Sequence, residues 1–455
     1  MHTRKSLGFN SAFFVSLKKI IPMNIPTIDL PRVVVIGAGF AGLKLARQIN
    51  SNNYQVVLID KNNYHTFQPL LYQVASAGLE PDSIAYPIRK TLRKKKNTFY
   101  RMASVQRINT SEQTVQTDIG DLKYDKLVIA TGAGNNFFGN QSIEENAIPM
   151  KSLTEALDLR SKMLENFEKA LNTTNLVERE KLMNFVIVGA GPTGVELAGA
   201  LAELKNKILP KDFPDLDLRL MKIHLIEASG KVLSAMEDKS SKKAHEYLKK
   251  LGVHIWTSTF VEDYIDGVVK TNGENFYSDT LVWAAGVKGQ PPLGIDASQI
   301  GRGNRIIVNE YCQSPKNENI YVLGDVALIQ SETYPNGLPM MASVAMQQGA
   351  YLAKSLNRLA RNKSIKPFSY NDKGSMATVG KNLAVVETKG FKFQGIFAWF
   401  VWMFVHLMLL VGFRNRVVVF VNWTWNYFKY NNGLRLIIRP YKKKKARRVS
   451  EKNAA

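Results

Sequence analysis

Three features of the sequence predict an α/β protein made of two similar parallel-sheet units followed by an apolar C-terminal segment. A β-branched run, a glycine-rich turn and a helix-period stretch occur together at Arg32 to Asp60, and the same pattern returns from Phe185 to Glu227. A further strand-like run ending in Gly324-Asp325 lies far downstream of the first unit, as though the second had been spliced into it. Gly395 to Phe413 is almost wholly apolar and is followed by a polybasic tail. βαβ units with Gly-x-Gly-x-x-Gly turns form the Rossmann-like dinucleotide-binding arrangement. The expected architecture is therefore α/β: two Rossmann-like dinucleotide-binding domains, the second inserted in the first, plus a C-terminal membrane-associating helical segment.

In the first unit, Val33 to Ile36 meets Gly37-Ala-Gly39-Phe-Ala-Gly42, apolar residues follow at helical spacing (Leu43, Ala46, Ile49), and Val56 to Ile59 closes on Asp60. The types suit the chemistry. Gly37 makes the tight turn, Gly39 lets a pyrophosphate approach bare backbone, and Gly42 lets helix and strand pack closely. The helix N-terminus supplies free N–H groups to the phosphates, and Asp60 accepts from ribose hydroxyls. The glycines alone would read as a turn; strand, helix and acid in the right order make a nucleotide site.

At 455 residues the chain exceeds one typical core. The formal net charge of +23 points to an anionic membrane surface, nucleic acid or anionic ligands, to be decided by where the charge lies. The single cysteine, Cys312, excludes a disulfide framework and any thiol-pair chemistry within the chain. Residues 1–30 read as an N-terminal extension, basic and without an acid before Asp29. Lys18 and Lys19 interrupt any apolar core of a secretory signal, so two readings compete for it: a start at Met23, or a mitochondrial transit peptide.

Lys61 to Arg89 mixes aromatics, glutamines and prolines without clean periodicity and reads as an ordered loop and short helix. It either covers a flat cofactor or simply packs. Arg89 to Lys96 is a basic cluster, read as a solvated or lipid-facing surface. A strand entering Ala130-Thr131-Gly132 brings backbone near a nucleotide again. Residues 151 to 181 read as helix and linker, with Leu153, Ala156, Leu157, Met163 and Leu164 at helical spacing.

The second unit repeats the first: Phe185 to Val188, then Gly189-Ala-Gly191-Pro-Thr-Gly194, then Val195, Ala198, Leu201 and Leu204 as a buried stripe. Its second strand ends in Glu227, beyond an inserted stretch near Lys205 to Met221. Two fingerprints imply two dinucleotides. Asp325 suits a ribityl hydroxyl, which only a flavin carries, so FAD is assigned to the first unit. The second, completed locally by Thr280 to Gly286, takes the nicotinamide nucleotide. Glu227 bonds a ribose 2′-OH but repels a 2′-phosphate, which selects NADH. Glu196 is open to two readings: a polar residue tolerated in the first turn of a helix, or an acid facing nicotinamide and flavin. The histidines are scattered without ligand spacing, so no metal is expected.

These motifs resemble a type II NADH:quinone oxidoreductase from about Pro31 to about Pro440. The resemblance rests on the two fingerprints, Thr66-Phe-Gln-Pro-Leu-Leu-Tyr-Gln-Val-Ala75, Ile320 to Asp325, and Ala342-Ser343-Val344-Ala345-Met346-Gln347-Gln348-Gly349. It implies that this last helix passes under the flavin and lines a quinone pocket. The family pattern there is Ala-Gln-x-Ala-x-Gln; Gln347 matches its second glutamine and Ser343 replaces its first. The resemblance also assigns Glu196 to the catalytic cycle near the nicotinamide, and Lys381, otherwise a turn lysine, to the quinone head group. A cation there suits the charge that quinone reduction places on oxygen. The resemblance implies a monotopic anchor, and such flavoproteins often pair as homodimers, although the sequence itself does not fix the oligomeric state.

Gly395 to Phe413 has three readings: a core helix, a single span, or a helix lying in the membrane interface. Trp399 and Trp402 are placed at the headgroup boundary, a second apolar run covers Val417 to Trp425, and the tail Arg439 to Arg448 is attracted to an anionic bilayer surface, on the cytoplasmic face. Interfacial attachment is chosen over spanning, because quinone is lipid-soluble. The basic residues adjoin apolar aromatic stretches rather than a recognition fold, so nucleic acid is not expected. The expected domains are 31–150 and 286–360 for FAD, the latter with the quinone-site helix, 151–285 for NADH, 361–394 for C-terminal strands, and 395–455 for the membrane-anchoring amphipathic segment and tail.

The function expected is hydride transfer from NADH to bound FAD and then two electrons to a membrane quinone, without ion pumping. Disulfide reductases and sulfide:quinone oxidoreductases need paired cysteines and are excluded. A ferredoxin or rubredoxin reductase, or a membrane-bound nucleotide-sensing protein of little turnover, is the alternative.

Overall fold

The computed structural model describes residues 22–429, 435–437 and 439–442. The expected extension up to residue 21 and most of the polybasic tail lie outside the described residues.

The first sheet runs Gln313–Ser314, Asn317–Val322, Lys126–Ile129, Arg32–Ile36, Gln55–Asp60, Thr98–Met102. Its fingerprint strand lies at the centre, in parallel register Val33 to Val56 on one side and Ile36 to Ile129 on the other. Val33 to Ile36 is buried throughout, which explains an unbroken apolar run where a half-exposed strand would alternate. Strand Asn317–Val322 pairs with Lys126–Ile129 although the whole second unit intervenes in sequence, so the second unit is an insertion in the first.

The second sheet has the order Ile148–Pro149, Thr280–Trp283, Phe185–Val188, Ile223–Ile226, His254–Trp256. A change of unit at 150/151 was expected. Instead Ile148–Pro149 already pairs with Val282–Trp283, because an extended pair just before the helix Leu153–Asn172 can satisfy its backbone on that sheet's edge. That helix begins with a capping box between Ser152 and Glu155. The insert after the second fingerprint helix is a short helix, Leu209–Asp212, and a turn of 3₁₀ helix, Leu218–Leu220.

Each fingerprint helix is crossed by a later element at a glycine. Phe40–Gln48 lies against helix Ala342–Leu359, where a Cβ on Gly349 would come within 2.4 Å of the Ala41 carbonyl oxygen. Pro192–Lys207 lies against strand Ser375–Gly380, where a Cβ on Gly199 would meet the Val379 carbonyl oxygen at 1.6 Å. That strand belongs to a three-stranded antiparallel sheet with Leu383–Thr388 and Phe391–Gln394.

The apolar run from Gly395 does not make one long helix. Ile396–Leu409 stops, Gly412 turns the chain at φ +91°, and Phe413–Lys429 returns. No described helix is long and apolar enough to cross a membrane. Both helices are apolar on two faces. Ala398, Trp402 and His406, with Asn415, Val419 and Trp423, face inward, whereas Phe397, Phe400, Phe404, Phe413, Phe420 and Phe428 face outward. Trp402, expected at the headgroup boundary, is instead 1% exposed and stacked on His406 with ring centroids 4.1 Å apart. The residues at 398, 402 and 406 share one helical face, and that face packs on the core.

Candidate functional sites

A cavity of about 650 Å³ opens at the C-terminal ends of the first sheet. Its floor is the first fingerprint. A Cβ on Gly37 would lie 2.3 Å from the Ala130 carbonyl oxygen, and one on Gly42 would lie 1.9 Å from the Gly37 carbonyl oxygen, so both positions are closed to side chains by backbone. Gly39 differs: nothing stands within 4 Å of its absent Cβ, so its bare backbone faces the cavity. Asp60 accepts the Ala38 N–H at 2.6 Å and the Asn62 N–H at 2.7 Å. Burial raises its carboxyl pKa, and those two N–H groups oppose the rise.

Thr131, Gly132, Gly324 and Asp325 line the same cavity, as expected. Thr131 donates to the Gln290 carbonyl at 2.6 Å, and the Gly324 N–H donates to Gln348 Oε1 at 2.6 Å. An open glycine turn, an acid at the tip of the second strand and an acid across the cavity fit FAD. Gln348 and Lys151, which lies 3.5 Å from Asp325, were not singled out from sequence. Ala345, Gln348 and Leu352 share a buried helical face, a spacing that could have revealed Gln348. Lys151 carried no such signal.

The second fingerprint repeats these bonds. Glu227 accepts the Ala190 N–H at 2.6 Å and the Ser229 N–H at 2.9 Å. A Cβ would meet backbone at 2.6 Å on Gly189 and 1.9 Å on Gly194, and would meet nothing on Gly191. Gly286 follows the strand on the other side of Phe185–Val188, which frames the crevice where the strand order reverses. Its carbonyl accepts the Asn136 N–H at 3.0 Å, and the Phe138 ring covers its face.

A smaller cavity, about 160 Å³, lies between the second fingerprint helix, the C-terminal sheet and the C-terminal hairpin. Glu196 and Lys381 both line it. Glu196 is 7% exposed, so it is no tolerated surface acid. Burial pushes its carboxyl up to about 8; the Thr378 N–H at 3.5 Å and the indole of Trp402, whose N–H closes no hydrogen bond, oppose this only partly. Glu196 is therefore mostly protonated at neutral pH.

Lys381 is not a free turn lysine. Its ammonium donates to the Tyr427 carbonyl at 2.6 Å and sits 4.1 Å from that ring's centroid, while its backbone N–H donates to Glu203 at 2.5 Å. Burial raises the Glu203 carboxyl as well. Gln73 bridges the cavity wall, donating to the Tyr72 hydroxyl at 2.8 Å and accepting the Trp423 indole N–H at 2.8 Å. Burial and the neighbouring Glu196 push the Tyr72 hydroxyl well above its ordinary value.

Gln347 is not brought into this cavity. Its amide pairs with the backbone of Asn371, donating at 2.9 Å and accepting at 3.0 Å, and Ser343 pairs with the Tyr370 hydroxyl at 3.1 Å. Both side chains hold the extended segment that precedes the C-terminal sheet. The two cavities are joined by a run of rings: Phe40 to Phe67 at 5.9 Å, Phe67 to His406 at 6.1 Å, and His406 to Trp402. Burial lowers His406 to about 4, so it is neutral in that run.

Residues 31–349 match the family model described as pyridine nucleotide-disulphide oxidoreductase, and residues 373–429 match the NDH2 C-terminal domain. The chain is 35% identical over 436 residues to the type II NADH:quinone oxidoreductase Ndh of Mycobacterium tuberculosis, covering 90% of this chain and 92% of that one. It is 36% identical to NdhA of the same organism, covering 86% of each. Among solved structures, NDH2 from Plasmodium falciparum in complex with NADH aligns with a TM-score of 0.81 at 22% identity, covering 90% of this chain and all of that one.

Proposed function

The chain belongs to the type II NADH:quinone oxidoreductase family and passes reducing equivalents from NADH through FAD to a quinone, and from that premise we propose how its own residues do so. FAD sits on Gly37, Gly39 and Gly42, with Asp60, Thr131, Gly132, Gly324 and Asp325 around it, and NADH sits on Gly189, Gly191 and Gly194, with Glu227 and Gly286. FAD supplies the acceptor of hydride and the donor of electrons to quinone; the protein aligns the partners and sets the local charge.

The quinone head group takes the smaller cavity. Lys381 meets the negative charge that reduction places on oxygen, and Glu196, protonated below about pH 8, holds a proton at the cavity wall. The observation that carries this reading is a buried carboxyl and a lysine lining one cavity that a run of rings connects to the FAD site. Gln347 acts there only through the segment it holds.

The enzyme is membrane-associated, and the outward aromatic face of the C-terminal hairpin is the surface proposed to enter the bilayer interface. Trp423 and Tyr427 line the cavity from the same hairpin whose other face carries Phe420 and Phe428, so a lipid-soluble acceptor reaches the cavity without crossing water. Arg414, Arg416 and the cluster at residues 89–96 add attraction to an anionic leaflet, on the cytoplasmic side. Pairing of two copies is part of the same proposal. Steady-state NADH oxidation in detergent, with a membrane quinone or a water-soluble acceptor, tests the reading. Yellow protein whose quinone turnover falls in Glu196→Gln and Lys381→Met, with the soluble acceptor unaffected, supports it; equal effects on both acceptors move these residues out of the quinone site.

A further inference from the structure

Lys151 lines the flavin cavity where the chain leaves the first unit for the second. Its backbone N–H donates at 2.8 Å to Glu155 Oε2, the carboxylate oxygen that also closes the capping box of a 20-residue helix, so it stands on a rigid support. Its ammonium is 3.5 Å from Asp325, the two side chains being only 23% and 17% exposed. Asp325 follows a strand three positions across the sheet from the strand that ends in Asp60, which is roughly 14 Å at the usual strand spacing. Lys151 therefore belongs to the ribityl and ring half of the cofactor rather than the adenosine half.

A structural bolt is the plain alternative. Breaking a pair this little exposed would cost stability too, so only a readout on the flavin separates the two roles. Arg305, the other cation near Asp325, is already engaged with the carbonyls of Ala327 and Leu338, both at 2.9 Å. Lys151 is thus the positive group turned to the cavity beside Asp325.

We propose that Lys151 stabilises the negative charge that arrives in the flavin cavity on hydride transfer, a role that rests on FAD occupying the first unit. NADH gives up hydride, two electrons with one hydrogen nucleus, and leaves as NAD⁺. One unit of negative charge enters the cavity with no proton to neutralise it. A fixed cation in a partly desolvated cavity favours that state over the oxidised one.

The test is the midpoint potential of the bound flavin, read by spectroelectrochemical titration of the whole protein. Lys151→Met should shift the equilibrium against flavin reduction by about tenfold, ~30 mV for a two-electron couple, and slow bleaching of the yellow colour by NADH, while Lys151→Arg keeps the wild-type potential. A Met variant that melts earlier but keeps its potential overturns the proposal, because a bolt alone would do that. If Lys151→Met purifies without flavin, Lys151→Gln is titrated instead, and an unchanged potential there overturns it equally. Flavin loss from both neutral variants but not from Arg assigns the charge to binding and also overturns it. Wild-type protein without flavin absorbance would remove the premise rather than the proposal.

Discussion

In the first unit the Ala38 N–H reaches Asp60 at 2.6 Å, and in the second the Ala190 N–H reaches Glu227 at the same distance. A Cβ on Gly42 or Gly194 would meet the carbonyl oxygen of Gly37 or Gly189 at the same 1.9 Å. What differs is the helix that follows and what lies across it. The first is nine residues long and is crossed by helix Ala342–Leu359, whose Gln348 accepts the N–H of Gly324 at the cavity wall. The second is 16 residues long and is crossed by strand Ser375–Gly380, so Glu196 and Glu203 reach past the nucleotide turn to a separate cavity. The fingerprint fixes where a pyrophosphate lies. The element docked on the helix decides what else is built.

The sharpest way to break this comparison is to make the same change twice. Gly42→Ala should give colourless protein. Gly194→Ala should stay yellow but raise KM for NADH by roughly 100-fold, since forcing atoms into packed backbone costs about 1–3 kcal/mol or more; the readouts are flavin absorbance and initial rates. Exchange of these two outcomes would reverse the assignment of the cofactors.

Gly199→Val tests the docking step alone. It should pry the C-terminal strand from the helix and cut quinone-dependent turnover by roughly 50-fold at the same overpacking cost, while NADH oxidation with a soluble acceptor persists. Glu196→Gln probes the cavity's proton, with a loss of about 10-fold or more in quinone reduction. In the wild type the neutral carboxyl is present below about pH 8, so quinone turnover should fall as pH rises through that value. The Gln variant should lack that limb. Its folded pKa being raised, wild-type Glu196 also loses stability as pH climbs from the ordinary carboxyl range past 8, so the Gln variant should melt later than wild type at pH 9 and not at pH 5. The smallest effect is expected for Glu227→Gln, about a tenfold rise in KM for NADH from one weakened charged hydrogen bond, with a narrowed preference over NADPH.

Both nucleotide units were legible in sequence because their residues are local: strand, turn, helix and acid fall within one stretch, and backbone crowding leaves glycine as the only choice at the turn. Asp325 was legible because its strand carries its own short motif. Lys151 and Gln348 were not, since each acquires its place only when distant strands meet. Trp402 was misjudged for a related reason. A helix apolar at every position but His406 gives little contrast between its buried and outward faces, and only packing tells them apart. The break at Gly412 was hidden in the same way; a Cβ there would strike the Tyr86 ring at 2.3 Å, a contact between residues more than 300 positions apart.

Asn415 places its side-chain nitrogen within 3.1 Å of the carbonyl oxygens of Asp82, Ser83 and Ala85, and Trp423 reaches back to Gln73. The wall formed by residues 72–85 is thus closed by partners 330 or more positions later in the chain, so it stays unfinished while the intervening sequence is made. Until then the nascent chain presents a half-built apolar surface, and the hairpin that completes it carries an exposed aromatic face of its own. Closure of the smaller cavity is therefore a late event in folding, and whatever shortens the interval before it limits the time in which the unfinished molecule can aggregate.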